Sequence, residues 1–132
     1  RDHADPLDRV LAYVDFRIAI FRGTIPHMTC LLGMMVQEIF ATHPALLAAC
    51  RTGITIHAAP LRDEIAAAMQ ARGLTGFTAE SLALHAMAVI QGAFVLAKAD
   101  GGPDRAVDSL HHLRRYVELL FAAPQRQEGN VA

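Results

Sequence analysis

Apolar residues recur along this chain at helical spacing, and the densest run is the segment 79–99, AESLALHAMAVIQGAFVLAKA. At 100° per residue, no face of a helix built from this segment is fully polar. A helix that is apolar on all sides must be covered on all sides. A chain of 132 residues offers few other helices to cover it. We therefore expect a partner chain or a ligand to cover the rest.

The same spacing predicts four further helical segments. Asp5 is a good N-cap and Pro6 suits a first helical position, so the first helix begins there. Gly23 and Gly73 are suitable residues to end the first and third helices, and Thr78 caps the fourth. The predicted segments run from Asp5 to Gly23, from about Pro26 to about Ala41, from Ala45 to Arg72, from Ala79 to Ala99 and from Asp104 to Ala122.

Pro60 lies inside the third segment. It has no N–H to donate to the carbonyl of Ile56, and its ring crowds that carbonyl, so we predict a kink or a break there. No stretch shows the alternation of a strand. The fold class is therefore all-α, a helical bundle of about five helical segments over residues 5–122, followed by a flexible tail at 123–132.

Composition limits the classes of function. Hydrophobic residues make up 53% of the chain and the net charge is -1, so the basic surplus of a nucleic-acid binder is missing. No apolar run reaches the roughly 18–20 residues that cross a bilayer, so we expect no membrane partner. The apolar excess instead predicts oligomerisation or an internal cavity. Cys30 and Cys50 lie in apolar helical patterns, which is typical of reduced thiols in a cytoplasmic protein.

Catalytic and metal-binding motifs are missing from the sequence. The paired Glu-x-x-His motifs of a di-iron bundle do not occur. Ser81 and Ser109 lie on predicted helices without a Gly-x-Ser-x-Gly elbow, and no glycine-rich phosphate loop is present. We expect no enzyme, no cofactor and no metal site.

An apolar pocket is the clearest functional prediction. Methionine adapts to ligands of varied shape, and such pockets hold a few polar groups that orient the ligand. The alternative is that these residues simply fill the core, and it stays open for each of them. The candidate ligand-binding residues are Phe16, Arg17, Ile20, His27, Met28, Leu31, Met35, His57, Leu84, Met87, Gln91 and Phe94.

Three stretches resemble a known family. They are Cys30-Leu31-Leu32-Gly33, then Thr42-His43-Pro44-Ala45-Leu46, and the run from Ala86 to Ala97 with the closing helix. Together they are similar to the regulatory half of TetR-family (tetracycline-repressor-like) transcriptional regulators, over about residues 5–121. The resemblance implies a homodimer whose last two helices form a four-helix interface, with an effector pocket between the earlier helices. It also implies operator DNA bound by an N-terminal helix-turn-helix domain, which we expect to be absent from this chain.

Helical spacing divides the segment 79–99 between these two roles. One side carries mostly small residues, which allow close approach of a partner subunit, and the side with Leu84, Met87, Gln91 and Phe94 is assigned to the pocket. Residues of the last helix join the partner side through the resemblance. The candidate dimer-interface residues are Ser81, His85, Ala88, Gly92, Ala99, His112, Tyr116 and Leu119.

The leading hypothesis is therefore the ligand-sensing and homodimerisation domain of a transcriptional repressor, which binds a small hydrophobic effector. A purely structural helical dimerisation module is the first alternative. A small helical enzyme or cofactor carrier is the second, although it would need a convergent polar constellation that the sequence does not offer.

Overall fold

The computed structural model describes residues 4–23 and 31–122, and within 31–39 the side chains from Gly33 onward. These residues form an all-helical bundle, as predicted. The helices are α1 Pro6–Phe21, α2 Leu31–Ile39, α3 Pro44–Arg72, α4 Ala79–Asp100 and α5 Asp104–Ala122. The start of the second predicted segment and the predicted flexible tail lie outside the described residues.

Four of the helices enclose the core. α1 packs against α3 and α5, and α4 packs against the same two helices, which gives a closed ring of four. α1 contributes Val10, Val14, Ile18 and Phe21, at the predicted three- and four-residue steps. α2 lies against α3, and none of its described side chains is buried. The bundle thus has a well-packed four-helix core and one loosely covered helix beside it.

Three of the four predicted helix ends are confirmed, whereas α1 ends at Phe21 with Arg22, not Gly23, as its C-cap. Asp5 accepts a hydrogen bond from the backbone N–H of Leu7 at 3.0 Å, and Pro6 occupies the first turn of α1. Thr78 accepts from the N–H of Ser81 at 3.1 Å. Gly73 ends α3 with φ of 59°, in the left-handed region that glycine enters without steric cost.

α3 continues as a helix through Pro60, so the predicted break is wrong, while the kink remains a prediction. A proline removes only its own N–H from the helix, and the neighbouring turns keep their hydrogen bonds. Ala58 and Leu61, on either side of Pro60, are both buried in the core. This packing holds the two halves of α3 together.

α4 also corrects the expectation from hydropathy. By length and composition alone it could cross a membrane, contrary to our estimate from apolar run length. However, 39% of that stretch is buried inside the bundle. Six residues form a stripe on its inner side, which the partition into two faces had missed. They are Leu82, Ala83, Ala86, Ile90, Ala93 and Ala97. α4 is a central core helix of the bundle.

Ion pairs tie the start of α1 to α3. Arg72 donates to both carboxylate oxygens of Asp5, at 3.1 and 2.8 Å. These hydrogen bonds, followed by the one from Leu7, lower the pKa of Asp5 below its ordinary value. One turn later, Nε of Arg9 donates to Glu64 at 2.5 Å. The charges at this end of the two helices are thus satisfied within the chain.

Candidate functional site

A cavity of about 220 Å³ lies between α2, α3 and α4. It is larger than the roughly 150 Å³ cavity that is known to hold benzene in another protein. Most of its wall is apolar, and two polar side chains interrupt it. The lining residues are Gly33, Ile54, His57, Leu84, Met87, Ala88 and Gln91. Such a mostly apolar cavity with a few polar groups suits a small organic ligand.

His57 connects this cavity to a charged group on α1. Nη2 of Arg17 lies 3.3 Å from Nε2 of His57 and donates to the hydroxyl of Tyr13 at 3.1 Å. The Arg17 guanidinium also lies over the Tyr13 ring, 5.2 Å from its centre. Nε of Arg17 is buried and has no hydrogen-bond partner within the described residues. The Arg17 guanidinium thus contacts His57, a lining residue of the cavity, and does not itself line the cavity.

Gln91 packs between α4 and α2. A Cβ added at Gly33 would lie 2.8 Å from Cδ of Gln91 and closer still to its Oε1. Glycine at position 33 thus leaves room for the Gln91 amide beside the α2 backbone.

The structure places the twelve candidate ligand-binding residues in different surroundings. His57, Leu84, Met87 and Gln91 come together at the cavity, with Arg17 beside them. Other candidates lie elsewhere and do not line the cavity. Phe94 stacks on Phe21 with ring centres 4.7 Å apart, Ile20 packs on the core, Met35 is half-buried and Phe16 is 62% exposed. His27, Met28 and the Leu31 side chain lie outside the described residues.

A second feature is an exposed face of α4 and α5, here called the α4–α5 surface. Its large side chains include Val95, Tyr116 and Leu119, which are 58%, 47% and 65% exposed. The rings of His85 and Tyr116 meet edge to face at 5.6 Å and join the two helices. The surface comprises Ser81, Leu84, His85, Ala88, Gly92, Val95 and Ala99 on α4, and His112, Tyr116 and Leu119 on α5.

The candidate dimer-interface residues, which this definition includes, are all exposed. Ser81, His85 and Tyr116 also line a shallow groove of about 220 Å³, together with Phe77 and Leu82. Ala88 lines the cavity as well, so it borders both features. Gly92 is exposed, and a Cβ added there would meet nothing within 4 Å in the described chain.

Sequence reasoning missed three residues of these two features. Ile54 and Gly33 line the cavity, and Val95 lies on the α4–α5 surface. Helical spacing could have found two of them, because Ile54 is three residues before His57 and Val95 is three after Gly92. Gly33 could not be found this way, because its role depends on a side chain from another helix.

Among residues 4–23 and 31–122, no group of three or more His, Cys, Asp or Glu side chains is placed to hold a metal ion. Cys50 is buried and unpaired within the same residues, and burial makes a thiol a poor nucleophile. The polar groups at the cavity are hydrogen-bond donors and acceptors suited to holding a ligand.

Comparison with known proteins identifies the family. No curated protein and no solved structure matches the chain. The family model of the tetracyclin repressor-like C-terminal domain matches residues 6–113, which include α1 to α4 and the first half of α5. This match covers well over half of the chain, in agreement with the resemblance drawn from residues 30–46 and 86–97. The chain belongs to the tetracycline repressor-like C-terminal domain family.

Proposed function

We propose that this domain binds a small, largely hydrophobic effector in the cavity and forms a homodimer through the α4–α5 surface. Effector binding would then control the binding of operator DNA by a helix-turn-helix segment outside this chain, in a cytoplasmic transcriptional repressor. The family is that of a regulatory domain, for which ligand binding and dimerisation are the expected activities and catalysis is not.

The observation that carries this proposal is the position of α4. Leu84 and Ala88 line the cavity and are also exposed on the α4–α5 surface. A ligand that contacts these residues therefore touches the helix that would contact the partner subunit. Coupling between two sites requires that the ligand prefers one arrangement of the dimer. Because α4 borders both sites, a ligand that shifts α4 would also change its contact with the partner subunit.

A second copy of this chain suits the α4–α5 surface for a physical reason. The surface mixes large apolar side chains with the small residues Ala88, Gly92 and Ala99, which let helix backbones approach closely. A twofold axis would place the same surface on both subunits and form a four-helix interface. Leaving Val95 and Leu119 in water costs free energy that such an interface would recover.

Gly92→Leu tests the homodimer. The single chain has open space at this position, so a leucine would fit the monomer and would obstruct only a close partner. We expect wild-type protein to sediment as a dimer and Gly92→Leu as a monomer or an aggregate, by analytical ultracentrifugation with light scattering. Gly92→Ala should stay dimeric, because a single methyl group leaves most of the approach open.

Ala66→Leu is the matched control, since Ala66 is exposed on α3 away from the α4–α5 surface. It adds similar bulk to a helix and should leave the dimer intact. A Gly92→Leu protein that remains dimeric would overturn the assignment of this surface. The DNA-binding part of the proposal is checked on the gene, where a basic three-helix segment encoded upstream of residue 1 would support it and a different domain would refute it.

A further inference from the structure

Arg17 is a cation without a carboxylate partner among the described residues. It contacts the Tyr13 hydroxyl and the His57 ring, neither of which is a carboxylate, while its buried Nε contacts no acceptor in that part of the chain. A guanidinium keeps its charge at any ordinary pH, and buried donors are normally paired. The arrangement thus leaves a cation without a carboxylate and one donor without an acceptor next to His57, which lines the cavity.

Nearby acidic residues do not fill this role. Residues 24–30, which join α1 to α2, contain neither aspartate nor glutamate. Asp15, two residues before Arg17, accepts a hydrogen bond from Nε of Arg114 on α5 at 2.9 Å. At the other end of the same helix pair, Arg9 is matched by Glu64, whereas Arg17 meets a histidine at the corresponding place on α3.

The contact with Arg17 also orients His57. An arginine N–H can only donate, so Nε2 of His57 accepts, and the proton of the neutral ring then lies on Nδ1. His57 and Gln91 both line the cavity, and each side chain carries an N–H group that can donate to a ligand. Three donor groups and an apolar wall form a complementary site for an amphipathic anion.

We propose that the effector is a small amphipathic carboxylate, whose apolar body fills the cavity and whose head group binds Arg17, aided by His57 and Gln91. This inference rests on the proposed function and specifies the chemical class of its ligand. The planar fork of arginine matches a carboxylate with two parallel hydrogen bonds. A cavity of about 220 Å³ suits a body of about eight carbons or a single ring.

Three probes with the same tail and different heads test the proposal. Octanoate, 1-octanol and octylamine are titrated into the wild-type dimer at neutral pH by isothermal calorimetry, with the shift in melting temperature as a second measurement. We expect octanoate to bind at least about tenfold more tightly than either of the others, since the cation attracts only the carboxylate.

Arg17→Gln then isolates the cation. It should weaken octanoate binding about tenfold and leave 1-octanol within about twofold of wild type. Arg62→Gln is the matched control, because it removes the same charge from an arginine of α3 that hydrogen-bonds the neighbouring Asp63, and it should change neither affinity. Arg17→Lys keeps the charge without the planar fork, so its octanoate affinity should lie between those of wild type and Arg17→Gln. It serves as a second variant if Arg17→Gln is unstable.

The outcomes separate the two proposals. Equal affinity for all three probes, or an equal loss of octanoate and 1-octanol binding in Arg17→Gln, overturns the carboxylate inference and leaves ligand sensing intact. No binding of any probe overturns ligand sensing itself. A preference for octylamine would show that the edge of the cavity attracts cations and would overturn the inference as well.

Discussion

The two ends of the packed α1–α3 pair differ in how their arginines are paired. At one end Asp5 binds Arg72 and Arg9 binds Glu64, so every one of these charges meets an opposite charge. At the other end, two turns further along α1, Arg17 meets His57, and the cavity lies behind that histidine. The same two helices thus carry a closed end that stabilises the fold and an open end that is available to a ligand.

This difference shows how one helix pair can be both rigid and functional. The closed end surrounds fully buried residues such as Ile65, which is 1% exposed. At the open end, Ile54 and His57 of α3 line the cavity together with Gly33 of α2, and no described side chain of α2 is buried. Functional sites commonly lie where packing is incomplete, because apolar surface and polar groups that the fold does not bury or pair remain available to a ligand.

The largest effect expected from this comparison is on stability. Ile65→Ala should lower the free energy of unfolding by about 2–5 kcal/mol, because it opens a cavity in the packed core. Ile54→Ala removes the same atoms from a half-buried position beside an existing cavity, and should cost less than about 1.5 kcal/mol. Urea unfolding of both variants measures the difference. Equal losses would show that the two ends are equally well packed and would remove the basis of the comparison.

The contrast between packed and open regions also explains what the sequence could predict. Val10, Val14 and Ile18 follow helical spacing so regularly that α1 and its buried face could be predicted directly, and the all-α fold with them. Caps at Asp5 and Thr78 are local hydrogen bonds between residues two or three apart, so they too are visible in the sequence.

The faces of α4 were harder to predict. When no side of a helix is polar, the spacing of apolar residues does not show which side is buried. The stripe that includes Ala83 and Ala93 turned out to be core, and Ala88 borders both the cavity and the α4–α5 surface. The contact of Gln91 with Gly33 depends on how two helices meet, and spacing along one helix carries no such information.

His57→Glu is the sharpest way to remove the difference between the two ends. It places a carboxylate opposite Arg17, as Glu64 is opposite Arg9, and converts the open end into a second closed end. We expect a gain of about 0.2–1 kcal/mol in the free energy of unfolding, the range of partly exposed ion pairs. Octanoate binding should fall at least about tenfold, since Arg17 is then paired within the chain and the new charge repels the ligand.

Thr52→Glu is the control for that variant. It adds the same charge to the same helix at an exposed position away from Arg17. It should leave octanoate affinity nearly unchanged. Undiminished octanoate binding by His57→Glu, measured by calorimetry, would show that Arg17 does not receive the ligand and that the open end has another role.

The smallest expected effect concerns the pH dependence of the closed end. The hydrogen bonds from Arg72, and then from Leu7, make the pKa of Asp5 lower in the folded chain than in the unfolded chain. Unfolding therefore takes up a proton in acid, so the stability that Asp5 contributes is complete above its unfolded pKa of about 3.9 and is lost as the pH falls through the lower folded value. Asp5→Asn keeps an N-cap acceptor and removes only the charge.

The stability difference between wild type and Asp5→Asn should thus be constant from pH 5 to pH 8 and shrink below about pH 4, in urea titrations at each pH. Adding Arg72→Gln to both proteins should remove most of this pH dependence, because the partner that lowers the pKa is then gone. A pH dependence that persists without Arg72 would assign it to the helix cap instead of the ion pair. The closed end would then owe its stability to local capping of α1, and Arg9 with Glu64 would be the ion pair that distinguishes it from the open end at Arg17.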